Sequence, residues 1–493
     1  MITSIIKTDN IKSVNFYKNN MVREEGSRMD MLMFELNKNT TKPLYEQLYI
    51  GIKTAILSQQ IEVGTQLPSK KKLADFLNIS QTTIEVAYAQ LVAEGFIVSK
   101  PRIGFFVEDI NELPYIETEH VELPMEETEK KTIQFDFHPG KIDTDSFPFS
   151  QWRKYAKNLY DTPSKELLQI GEPQGEYTLR TEIAKYLYQS RGIVCKPEQI
   201  VIGSGTEQLF PMILRLLDHD SNIALENPGY SASPRIQLKN KAIPIPVDED
   251  GLMVEHLEKT NANVVYITPS HQFPTGAVLS ATRRTQLMQW AAKSKNRYII
   301  EDDYDSEFRY TGKPIPALHG MDQNDKVIYL STFTKSLMPS LRLAYFLLPS
   351  TLLKKYKETF SYYSATVPRF DQHIVASFMR DGYFSKHLNR MRKIYRKKHD
   401  KLTHIFKTDY PEVIITGDQA GMHILISLPL QKSENELKAI ATRSHISIYP
   451  LSDYLLKPIE YKHPTFLLGF GGIPLEKIEE SIHQLMQCWE MEK

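Results

Sequence analysis

Beyond Phe135 the chain keeps returning to short, unbroken apolar runs set apart by segments of helix length: Ile200-Val201-Ile202, Ile223-Ala224-Leu225, Val264-Val265-Tyr266-Ile267, Tyr298-Ile299-Ile300, Val327-Ile328-Tyr329-Leu330 and Leu343-Ala344-Tyr345-Phe346-Leu347. A strand that is apolar on both sides must be covered on both sides, so the pattern predicts an α/β body on a mostly parallel sheet. Ligands of such sheets sit at the carboxyl ends of the strands. Asp302 falls there, directly after an apolar strand, where a bare carboxylate is costly unless it meets a cation such as a protonated pyridine nitrogen. Tyr304, two residues on, points to the same side of an extended backbone and can hydrogen-bond a ring hydroxyl. Ile202-Gly203-Ser204-Gly205-Thr206-Glu207-Gln208 reads as strand, turn and helix start, which is either a plain connection or a phosphate cradle. Lys335, in Ser331-Thr332-Phe333-Thr334-Lys335-Ser336-Leu337, follows the Tyr304 strand by about thirty residues. A lone lysine is usually a surface residue; beside these groups it is a candidate nucleophile toward an aldehyde.

At 493 residues, 41% hydrophobic and 24% charged, the chain is too long for one core and calls for two or three domains. Sixty basic and sixty acidic side chains cancel, so attraction to nucleic acid requires that charge be segregated along the chain. Segregation is visible between Glu108 and Glu129, with nine acidic residues, no lysine or arginine, and Pro114 and Pro124 interrupting any helix. We read 108–132 as an extended acidic linker, either a plain spacer or a competitor for a basic DNA-binding face. Residues 1–36 mix charges of both signs without the apolar block of a secretory signal and read as a disordered leader. Cys195 and Cys488 lack disulfide or metal-ligand spacing, and no apolar run reaches the roughly 18 residues of a membrane span. A cytoplasmic protein without a bound metal or a membrane partner is expected.

Residues 37–107 read differently. Pro43 opens a helix with Leu44, Leu48, Ile52, Ala55 and Ile56 on one face. Ser69 caps a second short helix, Lys70 to Leu77, and Ser80 caps a third that turns Ile84, Ala87, Tyr88 and Leu91 inward and stops at Glu94-Gly95. Phe96-Ile97-Val98 and Phe105-Phe106-Val107 flank a basic tip from Ser99 to Gly104 and form a wing. Three helices and a hairpin serve either as a structural module or as a DNA reader. Lys70, Lys71, Lys72, Lys100 and Arg102, beside the short polar Ser80, Gln81, Thr82 and Thr83, favour DNA.

Leu67-Pro68-Ser69, Leu73-Ala74, Ala87-Tyr88, Glu94-Gly95 and Gly104-Phe105-Phe106-Val107 resemble the GntR-type winged helix-turn-helix, with Lys71 and Gln81 where that family usually has arginine. Asp302, Tyr304, Lys335 and Arg342, with Glu226-Asn227-Pro228-Gly229-Tyr230, resemble the site of fold-type I aminotransferases across nearly all of 133–493. Pro269-Ser270-His271-Gln272-Phe273-Pro274-Thr275-Gly276 and Glu301-Asp302-Asp303-Tyr304-Asp305-Ser306-Glu307-Phe308 look like signatures of the MocR/GabR family of regulators, in which the two parts are joined. The resemblance implies pyridoxal 5'-phosphate in Schiff-base linkage to Lys335. Asp302 would hold its ring nitrogen, Tyr304 its phenolic oxygen and Tyr230 its ring face, with Thr206, Thr332 and Arg342 at the phosphate and Gly205 and Glu207 among the other cofactor-binding residues. It also implies a small lobe over about 366–493, a head-to-tail homodimer, promoter DNA as partner, and an effector that is either the cofactor itself or an amine or amino acid.

Departures narrow the effector. Phe273 stands where aminotransferases have an asparagine, the last arginine is Arg443, His463 precedes the strand Phe466-Leu467-Leu468-Gly469-Phe470, and Ala232 sits where relatives that respond to GABA have an arginine. Without those arginines a carboxylate is gripped weakly. Ala232, His271 and His463 are the expected effector-pocket positions, His463 being either that or an ordinary surface histidine. The leading expectation is a regulator of vitamin B6 synthesis. Its rivals are a regulator of amino-acid use or efflux genes, and an aminotransferase with a DNA-binding appendage.

Overall fold

The computed structural model describes residues 36–37, 40, 42–109, 133–161, 165–217, 221–230, 242–310 and 315–491. Nearly all of the expected leader and acidic linker, and Ala232, lie outside them. By their contacts the residues fall into two compact units, 1–128 and 129–493.

In the first unit, α1 (Leu44–Leu57), α2 (Lys70–Leu77) and α3 (Gln81–Ala93) enclose a core in which Leu48, Ile52, Leu73, Ile84, Ala87, Tyr88 and Leu91 are fully buried. Ser69 and Ser80 cap as read from sequence, their hydroxyls accepting from the amides of Lys72 and Thr83 at 3.3 and 3.2 Å. The wing differs in detail. Three antiparallel strands, β1 (Gln66–Leu67), β2 (Ile97–Lys100) and β3 (Gly104–Val107), lie in the order β1-β3-β2. Ser99 and Lys100 pair with Phe105 and Gly104, so the turn shrinks to residues 101–103. Two residues are too few for β1 to show a period of its own.

The second unit opens with β4 (Phe135–Asp136), α4 (Phe149–Asp161) and α5 (Tyr177–Arg191). Its main sheet contains β5 (Ile200–Gly203), β6 (Ile223–Asn227), β7 (Ile243–Asp248), β8 (Gly251–Leu252), β9 (Val264–Ile267), β10 (Tyr298–Asp303), β11 (Val327–Thr332) and β12 (Ala344–Leu347). Their order is β5-β12-β11-β10-β9-β6-β7-β8, with β12 and β8 antiparallel to their neighbours and the rest running one way. Two-sided cover is explicit. Ile300, Ile328 and Phe346 pack with Leu209 and Ile213 of α6 (Thr206–Leu216), whereas Val265 and Ile299 pack with Leu287 and Trp290 of α7 (Ala281–Ala292).

After α8 (Arg369–Arg380) and the 27-residue α9 (Tyr383–Asp409) comes a second sheet. Its strands are β13 (Ile414–Thr416), β14 (His423–Ser427), β16 (Tyr449–Pro450) and β17 (Thr465–Gly469), in the antiparallel order β13-β14-β17-β16; β15 (Ile446–Ser447) pairs instead with β4. Among the described residues no helix is long and apolar enough to cross a membrane.

Candidate functional site

The register of β10 on β11 sets Asp302 opposite Leu330 and Asp303 opposite Ser331, so both strands deliver their ends to one place. There a cavity of about 290 Å³ is lined by residues from distant parts of the chain, among them Gly205, Thr206, Tyr230, Asp302, Tyr304 and Lys335. Lys335 leaves the turn after β11 and donates from Nζ to the carbonyl of Pro139. Burial pushes its ammonium down to about 8, which enlarges the neutral, nucleophilic fraction near pH 7.

Asp302 is buried at 4% exposure and accepts from the phenol of Tyr266. Burial pushes its carboxyl up to about 7; the Tyr266 bond opposes that, and the charges of Asp303 and Asp305 add to it. No cation pairs with it among the described residues. An acid held in that state suits a protonated ring nitrogen. The shift has a testable sign. Since the folded value exceeds the ordinary aspartate value of 3.8, this contribution to stability is complete below about 4 and is lost as pH rises through about 7. Cofactor-free Asp302→Asn is therefore expected to gain stability relative to wild type as pH climbs across that window, measured by urea denaturation at each pH. A pH-independent difference would refute the assignment.

At the other end of the cavity Gly205 has φ +133°, and a Cβ there would lie 2.5 Å from Nη2 of Arg342 and 2.7 Å from Oε2 of Glu207. Bare backbone thus opens α6, whose positive end is the natural seat of an anion. Arg342 donates to Glu207 at 2.7 Å. The pair is half-exposed, and such pairs hold by only about 0–1 kcal/mol, so a phosphate can draw the guanidinium away. Thr332 lines the same corner, its hydroxyl 2.7 Å from that of Thr334.

All nine residues expected at the cofactor, Gly205, Thr206, Glu207, Tyr230, Asp302, Tyr304, Thr332, Lys335 and Arg342, line this one cavity, although Glu207 does so as the partner of Arg342. The effector positions fare differently. His463 is not among the lining residues; it lies before β17, where its carbonyl accepts from Thr465. His271 is 1% exposed and stands behind Tyr304 rather than on the cavity wall.

Sequence reading missed His138, Pro139, Gly140, Thr334 and Tyr454 on the wall, which Phe273, standing in place of an aminotransferase asparagine, also lines. The Phe273 ring packs edge-on against Tyr230, Tyr304 and Tyr454 at 5.5, 5.9 and 5.1 Å. His271, Asp305 and His423 are of metal-ligand type and lie within 4.8 Å of one another. Hydrogen bonds to Asp305 and to the Pro274 carbonyl already engage His271 Nδ1 and His423 Nε2. The larger grooves bring together structural pairs such as Glu176 with Arg369 and His373.

On the first unit, Lys71, Lys72, Gln81, Thr82, Lys100 and Arg102 are exposed, the Ser80 hydroxyl is spent on its cap, and Thr83 is half-buried. Lys70 pairs with Glu85 at 3.1 Å and Lys100 lies over the Phe106 ring at 4.7 Å. Lys71 and Lys72 of α2 and Lys100 and Arg102 of the wing are exposed, where phosphates could reach them.

Residues 132–463 match the family described as aminotransferase class I and II, and residues 44–107 match the gntR family of bacterial regulatory proteins. The chain is 43% identical to the HTH-type transcriptional regulator YdeL of Bacillus subtilis, over 94% of this chain and 100% of that one. It is 30% identical to the HTH-type pyridoxine biosynthesis transcriptional regulator PdxR of Corynebacterium glutamicum, over 80% and 85%. Among solved structures, the kynurenine aminotransferase of Pyrococcus horikoshii superposes with a TM-score of 0.65 at 26% identity, over 73% of this chain and 92% of the other.

Proposed function

Because the chain belongs to the MocR/GabR type of transcription regulator, in which a GntR helix-turn-helix is joined to an aminotransferase-like body, we propose that its Lys335 cavity captures pyridoxal 5'-phosphate and reports that capture to promoter DNA. One observation carries this reading: a lysine amine and a buried acid, without a cationic partner among the described residues, share one cavity with a helix start suited to an anion. Those residues fit the group. When bound, it supplies an electrophilic aldehyde and an electron-withdrawing ring.

The chain does the rest. Lys335 presents its amine, and Asp302 keeps a proton at the ring nitrogen. Tyr304 donates from its phenol, while Tyr230 and Phe273 wall the ring and exclude water. Thr206, Thr332 and Arg342 hold phosphate. The effector is the cofactor itself or an amine that meets it there. PdxR, by its name a regulator of pyridoxine biosynthesis, favours control of vitamin B6 synthesis. Differential affinity of the small lobe's two positions for the ligand would move the readers, and a head-to-tail dimer would set two readers on two half-sites.

A catalyst needs the same ring-binding residues, so turnover separates the readings. Operator occupancy by the full chain should change with added pyridoxal 5'-phosphate while transamination of common amino acids stays negligible. Efficient turnover with cofactor-blind operator binding would favour an aminotransferase carrying a DNA-binding appendage.

A further inference from the structure

Behind the cavity wall stands a second layer of polar groups. Tyr304 Oη lies 2.9 Å from Nδ1 of His271, and that same nitrogen lies 2.9 and 3.2 Å from the two carboxylate oxygens of Asp305. His271 and Asp305 are 1% and 2% exposed, so bulk solvent does not compete for these bonds. We propose that His271, tied to Asp305, is a positioning residue that fixes Tyr304 as a hydrogen-bond donor into the cavity. The inference rests on the proposed function, which supplies the acceptor.

A carboxylate only accepts, so the nitrogen facing Asp305 is the one that carries hydrogen. An Nδ1–H has no lone pair left for the Tyr304 proton. The phenol oxygen therefore accepts from His271, and its own proton, which is within hydrogen-bond reach of Asp305, turns to a cavity acceptor when one is bound. Burial, followed by the charges of Asp305 and Asp302, holds the Tyr304 phenol well above its ordinary value, and the proton stays on oxygen. Nε2 of His271 is buried without a partner among the described residues, a place better suited to a bare nitrogen than to an orphaned N–H.

The imidazole is also locked in place. Gly421 adopts φ +77° with its backbone against the His271 ring, where a Cβ has no room. The His423 ring is centred 5.1 Å away, and its Nε2 is 3.1 Å from the Pro274 carbonyl. Burial and His271 hold His423 well below the ordinary histidine value, so it stays neutral and does not compete as a cation for Asp305. Phe273, the ring beside Tyr304, has nothing to donate. Tyr304 thus carries the donor role on this side of the cavity.

Asparagine places an amide N–H near the position of Nδ1 and glutamine near that of Nε2, so the two replacements separate the roles. The full chain loaded with pyridoxal 5'-phosphate is read by the ratio of its visible band to its shortest-wavelength near-ultraviolet band, at a pH low enough to keep the linkage protonated, so that the ratio follows whether the shared proton sits on the linking nitrogen or on the ring oxygen. Tyr304→Phe and His271→Gln should each lower that ratio about tenfold, the size of one lost hydrogen bond to a charged oxygen. His271→Asn should keep the wild-type ratio, and Tyr304→Phe/His271→Gln should fall no further than Tyr304→Phe alone. Should His271→Gln not fold, Asp305→Asn reports the same loss through the histidine. Equal ratios in wild type, His271→Gln and Asp305→Asn, or full additivity in the double variant, would overturn the proposal. Loading is read separately by borohydride fixation at Lys335. Failure there in the wild type strikes the proposed function, whereas normal loading with unchanged spectra strikes only the role of His271.

Discussion

Lys335→Ala is expected to lose all borohydride-fixed label after incubation with pyridoxal 5'-phosphate, to show no visible absorbance band, and to bind its operator identically with and without the cofactor. The contacts that remain, Asp302 at the ring nitrogen, the aromatic walls and the α6 corner with Arg342, leave weak reversible binding. Losing the covalent tie is expected to cost roughly 100-fold in apparent affinity, about 2.7 kcal/mol. The fold should survive: the Lys335 ammonium is held down by burial rather than by an ion pair, and its hydrogen bond reaches only the carbonyl of Pro139. Removing a half-buried ammonium relieves a desolvation cost and frees one acceptor, so thermal stability without cofactor should stay close to that of the wild type. A Lys335→Ala protein that remained yellow, or whose operator affinity still followed the cofactor, would refute the capture.

The strand runs were legible because β5, β6, β9, β10, β11 and β12 are apolar on both faces, and a short local string shows that without any knowledge of partners. Asp302, Tyr304 and Lys335 were legible because strand ends and the turns that follow them are local features too. What sequence could not show was which distant side chains meet. His423 stands about 150 residues from His271, and a histidine entering a strand carries no mark that it will face another histidine. Tyr454 and the segment His138-Pro139-Gly140 reach the cavity through a short helical turn and a loop, neither of which has a period to betray a buried side. His463 is placed only by resemblance, where aminotransferases carry an arginine ahead of a late strand; it lies before β17 and is not in the lining of the Lys335 cavity. Glu207 lines the cavity with the other expected residues, but its ion pair with Arg342 joins positions 135 apart, which no local pattern shows.

Tyr88→Ala is expected to abolish operator binding while leaving cofactor capture at Lys335 intact. Tyr88 is fully buried at the centre of the first unit, its ring meets Phe105 edge-on at 4.9 Å, and its hydroxyl donates to the carbonyl of Pro68 at 2.9 Å. It ties α3 to the strand β3 of the wing and to the turn that leads into α2. Truncating an aromatic residue in such a core costs about 3–5 kcal/mol, and the stranded Pro68 acceptor adds to it. At about 0.05–0.15 kcal/mol per residue, the segment from Leu44 to Val107 has roughly 3–10 kcal/mol in all, so most of that stability is lost. Tyr88→Phe gives up only the hydrogen bond, about 0.5–1.5 kcal/mol, and should still bind DNA at 25 °C. Fluorescence anisotropy with operator DNA, run beside borohydride labelling on the same full-length preparations, separates the outcomes. The two units have their own cores, Leu48 to Val107 in one and the two-sided sheet in the other, and independent cores predict that damage stays where it is made. If labelling at Lys335 fell in step with operator binding, the stability of the two units would be one quantity, and the cofactor site would depend on the reader it is proposed to control.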